Sequence, residues 1–252
     1  MPKFFVGKNQ INNGIVNIKG EDVNHIINVL RNGKGDELRV CDFEDGINYR
    51  VEITDYKKDN VECKILEQME SNTESNVHIT IFQGLPKFDK MELIIQKATE
   101  IGVCNIVPLK MKRCIVKFDG KDLFKKIERW NKIAQIAAKQ SMRDTITKVE
   151  NIQTISDLLE GLEELDEVIV AYEKEKSNTL KKELKQIPKN KEYKIGIVIG
   201  PEGGIDEKEI EELSKSSKVR FVSLGNRILR TETAGLVMAS NIIYELEDSE
   251  QE

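Results

Sequence analysis

The chain has 252 residues, of which 39% are hydrophobic and 33% are charged, and its formal net charge is −5. This composition is typical of a soluble globular protein with one large domain or two ordinary ones, and the net charge argues mildly against a nucleic-acid binder. No apolar run approaches the roughly 20 residues of a membrane span, and no signal peptide opens the chain. The four cysteines form no CxxC pair, so we expect reduced thiols and a cytoplasmic location.

Residues 1–70 predict a small β-barrel-like domain. Turn signals such as Asn12-Asn13-Gly14 separate short apolar stretches that are typical of strands. A short helix is expected at about 22–30. The expected strands are Phe4–Val6, Ile15–Ile18, Glu37–Cys41, Tyr49–Ile53 and Val61–Leu66.

A second domain is expected over residues 77–252, after a polar linker at 71–76. Strands are predicted at His78–Phe82, Val103–Leu109 and Glu167–Tyr172. Between the first two, Asp89 is expected to cap a helix, with Glu92 three residues on, and Gly102 to end it. Two further strands follow towards the C-terminus, and this alternation predicts a mostly parallel sheet covered by helices.

A basic stretch occupies the middle of the chain. Over residues 86–148, Lys and Arg outnumber Asp and Glu about two to one, between acidic flanks. A helix predicted from Lys121 to about Ser141 has an apolar face, and opposite it lie Lys125, Arg129 and Lys132. These cations either form a solvated basic face or contact an RNA backbone, and Arg113 nearby makes the second interpretation at least as good.

Two glycine-containing turns near the C-terminus predict a ligand site. The strand Ile195–Ile199 ends in Gly200–Gly204, and Asp206 with Glu209 has the spacing of a capping box. The strand Val219–Leu224 ends at Gly225, and Thr231 is expected to cap a long apolar helix at about 232–246. Ligands bind outside the carboxyl ends of strands in parallel sheets. Alternatively, the glycines only permit tight turns; neither turn is a Rossmann or Walker A motif.

The two turns resemble those of a known family. The segments are GPEGG and LGNRILRTETA, and they are similar to the cofactor-binding segment of the SPOUT methyltransferases. In detail they resemble the bacterial 16S ribosomal RNA uridine N3-methyltransferase family, as does QGLPKFDKMELIIQKATEIGV, so the resemblance extends over nearly the whole chain. It implies a trefoil-knotted α/β domain with a parallel sheet at the C-terminus, after a small PUA-like, RNA-binding β-barrel. It also implies S-adenosylmethionine as the cofactor.

The resemblance implies roles for the residues of both turns. Arg230 would stabilise the negative charge that develops on a uracil carbonyl oxygen, and Glu232 would orient Arg230 or help with the proton. Alternatively, Glu232 only suits the dipole at the start of a helix. The residues expected to hold the cofactor are Gly200, Pro201, Glu202, Gly203, Gly204, Leu224, Gly225, Ile228, Leu229 and Thr231.

Further motifs of the family point to RNA contacts. His25 and Arg31 match its H-x-x-x-V-L-R pattern, although an ordinary helix-surface or boundary imidazole is the better interpretation of His25. Gln140 with Arg143 matches its Q-x-x-R motif. No metal-ligand cluster is present, so no metal is expected. The residues expected to contact RNA are Lys3, Arg31, Arg113, Lys125, Arg129, Lys132, Gln140 and Arg143.

The function implied is methylation of N3 of one uridine in the 16S RNA of the small ribosomal subunit. One alternative is a 2′-O-ribose RNA methyltransferase of the same fold. Another is a non-catalytic RNA-binding or ribosome-assembly protein, although a pure binder would not need a cofactor pocket. A homodimer is also expected, because the last helix is apolar over more than one face.

Overall fold

The computed structural model describes residues 2–70, 73–116, 120–188 and 192–247. The chain divides into two compact units, residues 1–74 with 138–146, and residues 75–137 with 147–252. Residues 71 and 72 of the predicted linker lie outside the described residues. The chain returns to the first unit at residues 138–146, here called the return segment. Nothing in the sequence indicated this return.

The first unit is built on a six-stranded sheet in the order β1-β4-β5-β6-β3-β2. Strands β1 and β4 pair in parallel, and the other neighbours are antiparallel. Alternate residues such as Val16, Ile18, Leu38 and Val40 are buried in the unit's own core. All five predicted strands are confirmed. The strands are β1 Lys3–Val6, β2 Ile11–Asn12, β3 Ile15–Lys19, β4 Glu37–Asp42, β5 Asn48–Lys57 and β6 Asn60–Met69.

The predicted helix of the first unit is present but changes its winding. Its first turn, α1, spans Glu21–Asn24, and a π-helical turn follows at His25–Val29. The π-turn ends just before Arg31, whose φ of 59° lies in the left-handed region.

The second unit contains a six-stranded parallel sheet in the order β12-β10-β11-β7-β8-β9. This confirms the predicted parallel sheet. Side chains such as Ile79, Ile81, Val168, Ile195 and Ile197 are fully buried, as expected for strands covered on both faces. The strands are β7 Val77–Gly84, β8 Asn105–Leu109, β9 Lys148–Val149, β10 Glu167–Ala171, β11 Tyr193–Ile199 and β12 Val219–Val222.

Helices connect these strands, and most of their predicted ends are confirmed. Gly102 ends α2 with a φ of 111°, and Asp206 with Glu209 forms the predicted capping box of α6. Asp89 precedes α2, but its side chain makes no capping hydrogen bond, contrary to prediction. The helices are α2 Lys90–Ile101, α3 Gly120–Gln140, α4 Ile155–Glu160, α5 Leu180–Leu184, α6 Glu207–Leu213 and α7 Thr231–Leu246.

Helix α7 contacts α2, α5 and the strands β7 and β11. Its residues Ala234, Met238, Ala239 and Ile242 are buried, at the spacing of one helical face. No helix among the described residues is both long and apolar enough to cross a membrane.

Candidate functional site

The second unit has a cleft where three parallel strands end. Strands β11 and β12 are the neighbours of β10, so the carboxyl ends of all three strands meet at one edge of the sheet. Segments from each strand end line the cleft, with Ala234 of α7. The lining segments are 171–173 after β10, 199–200 and 204–205 after β11, and 223–229 after β12. This is the edge at which parallel sheets bind ligands.

Many of the predicted cofactor residues line the cleft, but not all of them. Those that line it are Gly200, Gly204, Leu224, Gly225, Ile228 and Leu229. Pro201, Glu202, Gly203 and Thr231 lie beside it instead. The sequence analysis missed Tyr172 and Glu173, which line the cleft after β10. Their position at the carboxyl end of a predicted strand was a usable signal. The order of the strands in the sheet, which brings this strand end to the cleft, could not be predicted from the sequence.

Close packing explains two of the glycines at the β11 turn. A Cβ on Gly200 would lie 2.9 Å from Cγ1 of Ile205, which is closer than carbon atoms pack. Gly204 has a φ of 71°, and a Cβ there would lie 3.3 Å from Oε1 of Glu173. Side chains at these two positions would therefore disturb the packing of the turn.

Gly203 faces away from this lining and towards Arg113. A Cβ on Gly203 would lie 3.1 Å from Cβ of Arg113, whose Nη1 donates a 3.1 Å hydrogen bond to the carbonyl oxygen of Gly203. Nε of Arg113 also lies 3.5 Å from Oδ2 of Asp206. Arg113 was predicted to contact RNA, and in the structure it supports the turn of residues 200–204.

The buried side chain of Thr231 connects the ends of β7 and β11 by hydrogen bonds. Its hydroxyl donates a 2.7 Å hydrogen bond to the carbonyl oxygen of Gly200 and accepts a 2.9 Å hydrogen bond from Nε2 of Gln83. Thr231 was predicted to cap α7, but this is wrong, because Arg230 holds the N-cap position and Thr231 is the first helical residue. Pro201 packs tightly against Gly84, because a Cβ on Gly84 would lie only 2.6 Å from Cδ of Pro201.

Lys90 links two carboxylates next to the cleft, and the sequence analysis missed it. Its Nζ lies 3.0 Å from Oε1 of Glu202 and 3.1 Å from Oε2 of Glu232. Burial alone would raise the pKa of Glu232, but its own backbone N–H, the ammonium of Lys90 and the charge of Arg230 together lower it. Glu232 is therefore ionised at neutral pH.

Arg230 lies beside the cleft, at the N-cap position of α7. Its carbonyl oxygen accepts hydrogen bonds from the N–H groups of Thr233 and Ala234, at 2.8 and 2.9 Å, so its backbone starts the helix. The side chain is exposed and makes no capping bond. No ion pair holds its guanidinium among the residues that the structure describes. It directly follows Leu229, which lines the cleft.

Most of the other predicted RNA contacts are exposed. Arg31 is exposed at the end of the π-turn, and Gln140 at the end of α3. Lys125 and Lys132 are exposed on α3. Arg129 is also exposed, although its Nη2 lies 2.8 Å from Oε2 of Glu92.

Lys3 and Arg143 are buried, and this corrects the expectation that they contact RNA. Nζ of Lys3 forms an ion pair with Asp144, and its side chain has no exposed surface. Nη2 of Arg143 lies 2.6 Å from Oε2 of Glu74, and its side chain is 3% exposed. Both cations hold the return segment 138–146 within the first unit. Arg143 with Gln140 matched the Q-x-x-R motif of the family, but the sequence could not reveal that Lys3 and Arg143 are buried.

A metal site has no support among the described residues, where no group of three or more His, Cys, Asp or Glu side chains is arranged to hold an ion. His25 lies against Phe4, edge to face with ring centroids 5.9 Å apart, and Nδ1 of His78 lies 3.6 Å from Sγ of Cys104.

Comparisons with known proteins agree with this fold. Residues 73–243 match the model of an RNA methyltransferase domain, and residues 18–66 match that of an RNA methyltransferase PUA domain. The chain is 40% identical to the ribosomal RNA small subunit methyltransferase E of Bacillus subtilis, over 91% of this chain and 90% of that protein.

Two solved structures are similar over almost their full length. The ribosomal RNA small subunit methyltransferase E from Neisseria gonorrhoeae, bound to S-adenosylmethionine, has a TM-score of 0.85 at 29% identity and covers 99% of both chains. A putative methyltransferase from Legionella pneumophila, with the same cofactor bound, has a TM-score of 0.83 at 28% identity and covers 98% of both. The fold and cleft are therefore those of a SPOUT-type RNA methyltransferase with a PUA domain. Within that class, the chain belongs to the ribosomal RNA small subunit methyltransferase E family.

Proposed function

We propose that this protein transfers the methyl group of S-adenosylmethionine to N3 of one uridine in the 16S RNA of the small ribosomal subunit. The observation that carries the proposal is the cleft at three parallel strand ends, with the exposed Arg230 directly after its lining. Relatives with the same fold are ribosomal RNA small subunit methyltransferases, and two similar structures hold S-adenosylmethionine.

The cleft suits S-adenosylmethionine. Ile199, Ile205, Leu229 and Ala234 supply apolar lining for a flat adenine ring. The glycine turns leave room for polar groups of the ligand to approach the backbone of residues 200–204 and 224–225. When bound, S-adenosylmethionine supplies an electrophilic methyl group on a sulfonium centre.

Arg230 and Glu232 have different tasks in this proposal. Uracil N3 carries a proton at neutral pH and becomes nucleophilic when that proton passes to solvent, and the negative charge left on the ring spreads to the carbonyl oxygens. The guanidinium of Arg230 stabilises that charge. A general base works best with a pKa near the operating pH, whereas the pKa of Glu232 is lowered. We therefore assign Glu232 to holding Lys90 in place, and not to accepting the proton.

The RNA substrate would be recognised mainly through its phosphates and shape. The exposed Arg31, Lys125, Arg129, Lys132 and Gln140 offer phosphate-binding groups and few groups that read a base edge. Such surfaces recognise folded RNA and bind more weakly as salt increases. We therefore propose the assembled small subunit as the preferred substrate. A ribosomal substrate implies a cytoplasmic protein.

The domain plan of this proposal follows the family. Residues 1–70, together with the return segment 138–146, would form the PUA-like RNA-binding domain, and the rest of residues 77–252 the methyltransferase domain with a trefoil knot at its C-terminus. Support for the knot comes from the resemblance of the two glycine turns to the family's cofactor-binding segment.

We further propose a homodimer that forms through α7. Tyr244 on this helix is 87% exposed, and Leu236 and Val237 are only partly covered. A second cavity, lined by Leu180, Leu184 and Tyr244 among others, shares Leu224 and Gly225 with the cofactor cleft. A partner seated there would cover apolar surface next to the cofactor.

Light scattering should therefore give the mass of two chains at micromolar concentration. Tyr244→Glu should shift the protein towards a monomer, because it would place a charge in an apolar interface. Phe43→Glu, a change of an exposed aromatic residue in the first unit, should leave the dimer intact. A wild-type monomer at this concentration would contradict the proposed dimer.

The proposed reaction is tested by the chemical position of the transferred methyl group. Label from S-adenosylmethionine should appear in 3-methyluridine. Label in a ribose-methylated nucleoside would favour the 2′-O alternative, and no incorporation would favour a non-catalytic RNA-binding protein.

A further inference from the structure

Phe88 is an exposed aromatic side chain in an unusual backbone conformation. It lies in the loop between β7 and α2, and it is 88% exposed. Its φ is 56°, in the left-handed region, which residues other than glycine rarely adopt and which is disfavoured for a bulky side chain. Neither feature helps the chain fold, because the ring is not buried and the backbone is strained.

The loop of Phe88 is fixed at both ends to carboxylates that lie beside the cleft. On one side, the backbone N–H of Lys87 donates a 3.1 Å hydrogen bond to Oε1 of Glu202. On the other, Nζ of Lys90 lies 3.0 Å from Glu202 and 3.1 Å from Glu232. The loop is therefore held in place by the GPEGG turn and the first turn of α7.

Charges near Phe88 are compatible with RNA. Lys90 pairs with the carboxylates of Glu202 and Glu232 and offsets part of their negative charge, and Asp89 beside the ring is exposed to solvent. Lys87, directly before the ring in the chain, adds a second positive charge to the same loop.

We propose that Phe88 is a stacking platform for an unpaired nucleobase of the RNA substrate, next to the cofactor cleft. Proteins hold unstacked RNA bases against aromatic side chains, and the π-face of a base suits such a ring regardless of sequence. The strained, anchored loop keeps the ring exposed where a base can reach it. This inference rests on the proposed RNA methyltransferase function.

Three substitutions separate stacking from folding. Phe88→Leu keeps an apolar side chain but removes the aromatic face, and it should lower kcat/KM for small subunits by about tenfold, through KM. Phe88→Tyr keeps the ring and should behave like the wild type. Phe88→Gly relieves the left-handed backbone, so it should melt at the same or a higher temperature while losing as much kcat/KM as Phe88→Leu. The KM for S-adenosylmethionine should stay unchanged in all three.

The result that overturns the proposal is a Phe88→Leu protein with wild-type kcat/KM for small subunits, while the wild type itself methylates RNA. A loss that light scattering traces to a broken dimer also overturns it, since the ring would then contact a second copy. If the wild type methylates no RNA, the proposed reaction is wrong, and stacking is then tested separately by filter binding. This assay measures the affinity of the wild type and of Phe88→Leu for small subunits. Equal affinities would refute stacking.

Discussion

Replacing Arg230 with alanine should lower the turnover of methyl transfer by at least about 10²-fold, the usual loss when a donor to a developing oxyanion is removed. The exposed guanidinium is available to a uracil carbonyl oxygen, because no carboxylate among the described residues pairs with it. The fold should survive, since Arg230 starts α7 through its backbone carbonyl oxygen and its side chain makes no capping bond.

Single-turnover kinetics with saturating cofactor and small subunits would measure this loss. Arg230→Lys keeps the charge but not the planar pair of donors, so we expect intermediate turnover. Arg220→Ala is the matched control, because Arg220 lies on β12 beside Glu167 and Glu183 and not at the cleft. Near-normal turnover of a folded Arg230→Ala protein would remove Arg230 from the mechanism.

Replacing Gly204 with valine should weaken the binding of S-adenosylmethionine by at least about tenfold. Its φ of 71° is strained for any residue with a Cβ, and the new Cβ would crowd the carboxylate of Glu173 at 3.3 Å. Both effects displace the backbone that lines the cleft, and a tenfold loss corresponds to about 1.4 kcal/mol.

Isothermal titration calorimetry would measure the affinity, with a thermal melt to show that the variant is folded. Gly203→Ala is the comparison, because its Cβ would meet Arg113 outside the cleft lining, at 3.1 Å. Its effect on cofactor affinity should be smaller. A folded Gly204→Val protein with wild-type affinity would show that this turn does not hold the cofactor.

Local patterns were sufficient to predict most of the secondary structure. Apolar runs and turn residues indicated five of the six strands of each sheet, but not the two-residue strands β2 and β9. The Asp206–Glu209 capping box is present as predicted. The site followed because parallel strands place their carboxyl ends together, which brought residues 200–204 and 224–229 to one edge of the sheet.

What the sequence could not reveal depended on long-range packing. Lys90 and Phe88 matter only because their loop contacts Glu202, more than a hundred residues further along the chain. Lys3 and Arg143 carry charges that suggest an RNA contact, but Asp144 and Glu74 pair with them in a buried setting. The role of Thr231 also depended on a distant partner, Gln83, which bonds its hydroxyl from the end of β7.

Nucleoside mass spectrometry tests the central claim most directly. Small ribosomal subunits that lack the modification would be incubated with the protein and S-adenosylmethionine labelled in its methyl group, and naked 16S RNA would serve as the comparison. We expect label in 3-methyluridine at one position of the 16S RNA, with more incorporation into assembled subunits than into naked RNA. Label only in ribose-methylated nucleosides, or no label with a protein that binds the cofactor, would contradict the claim.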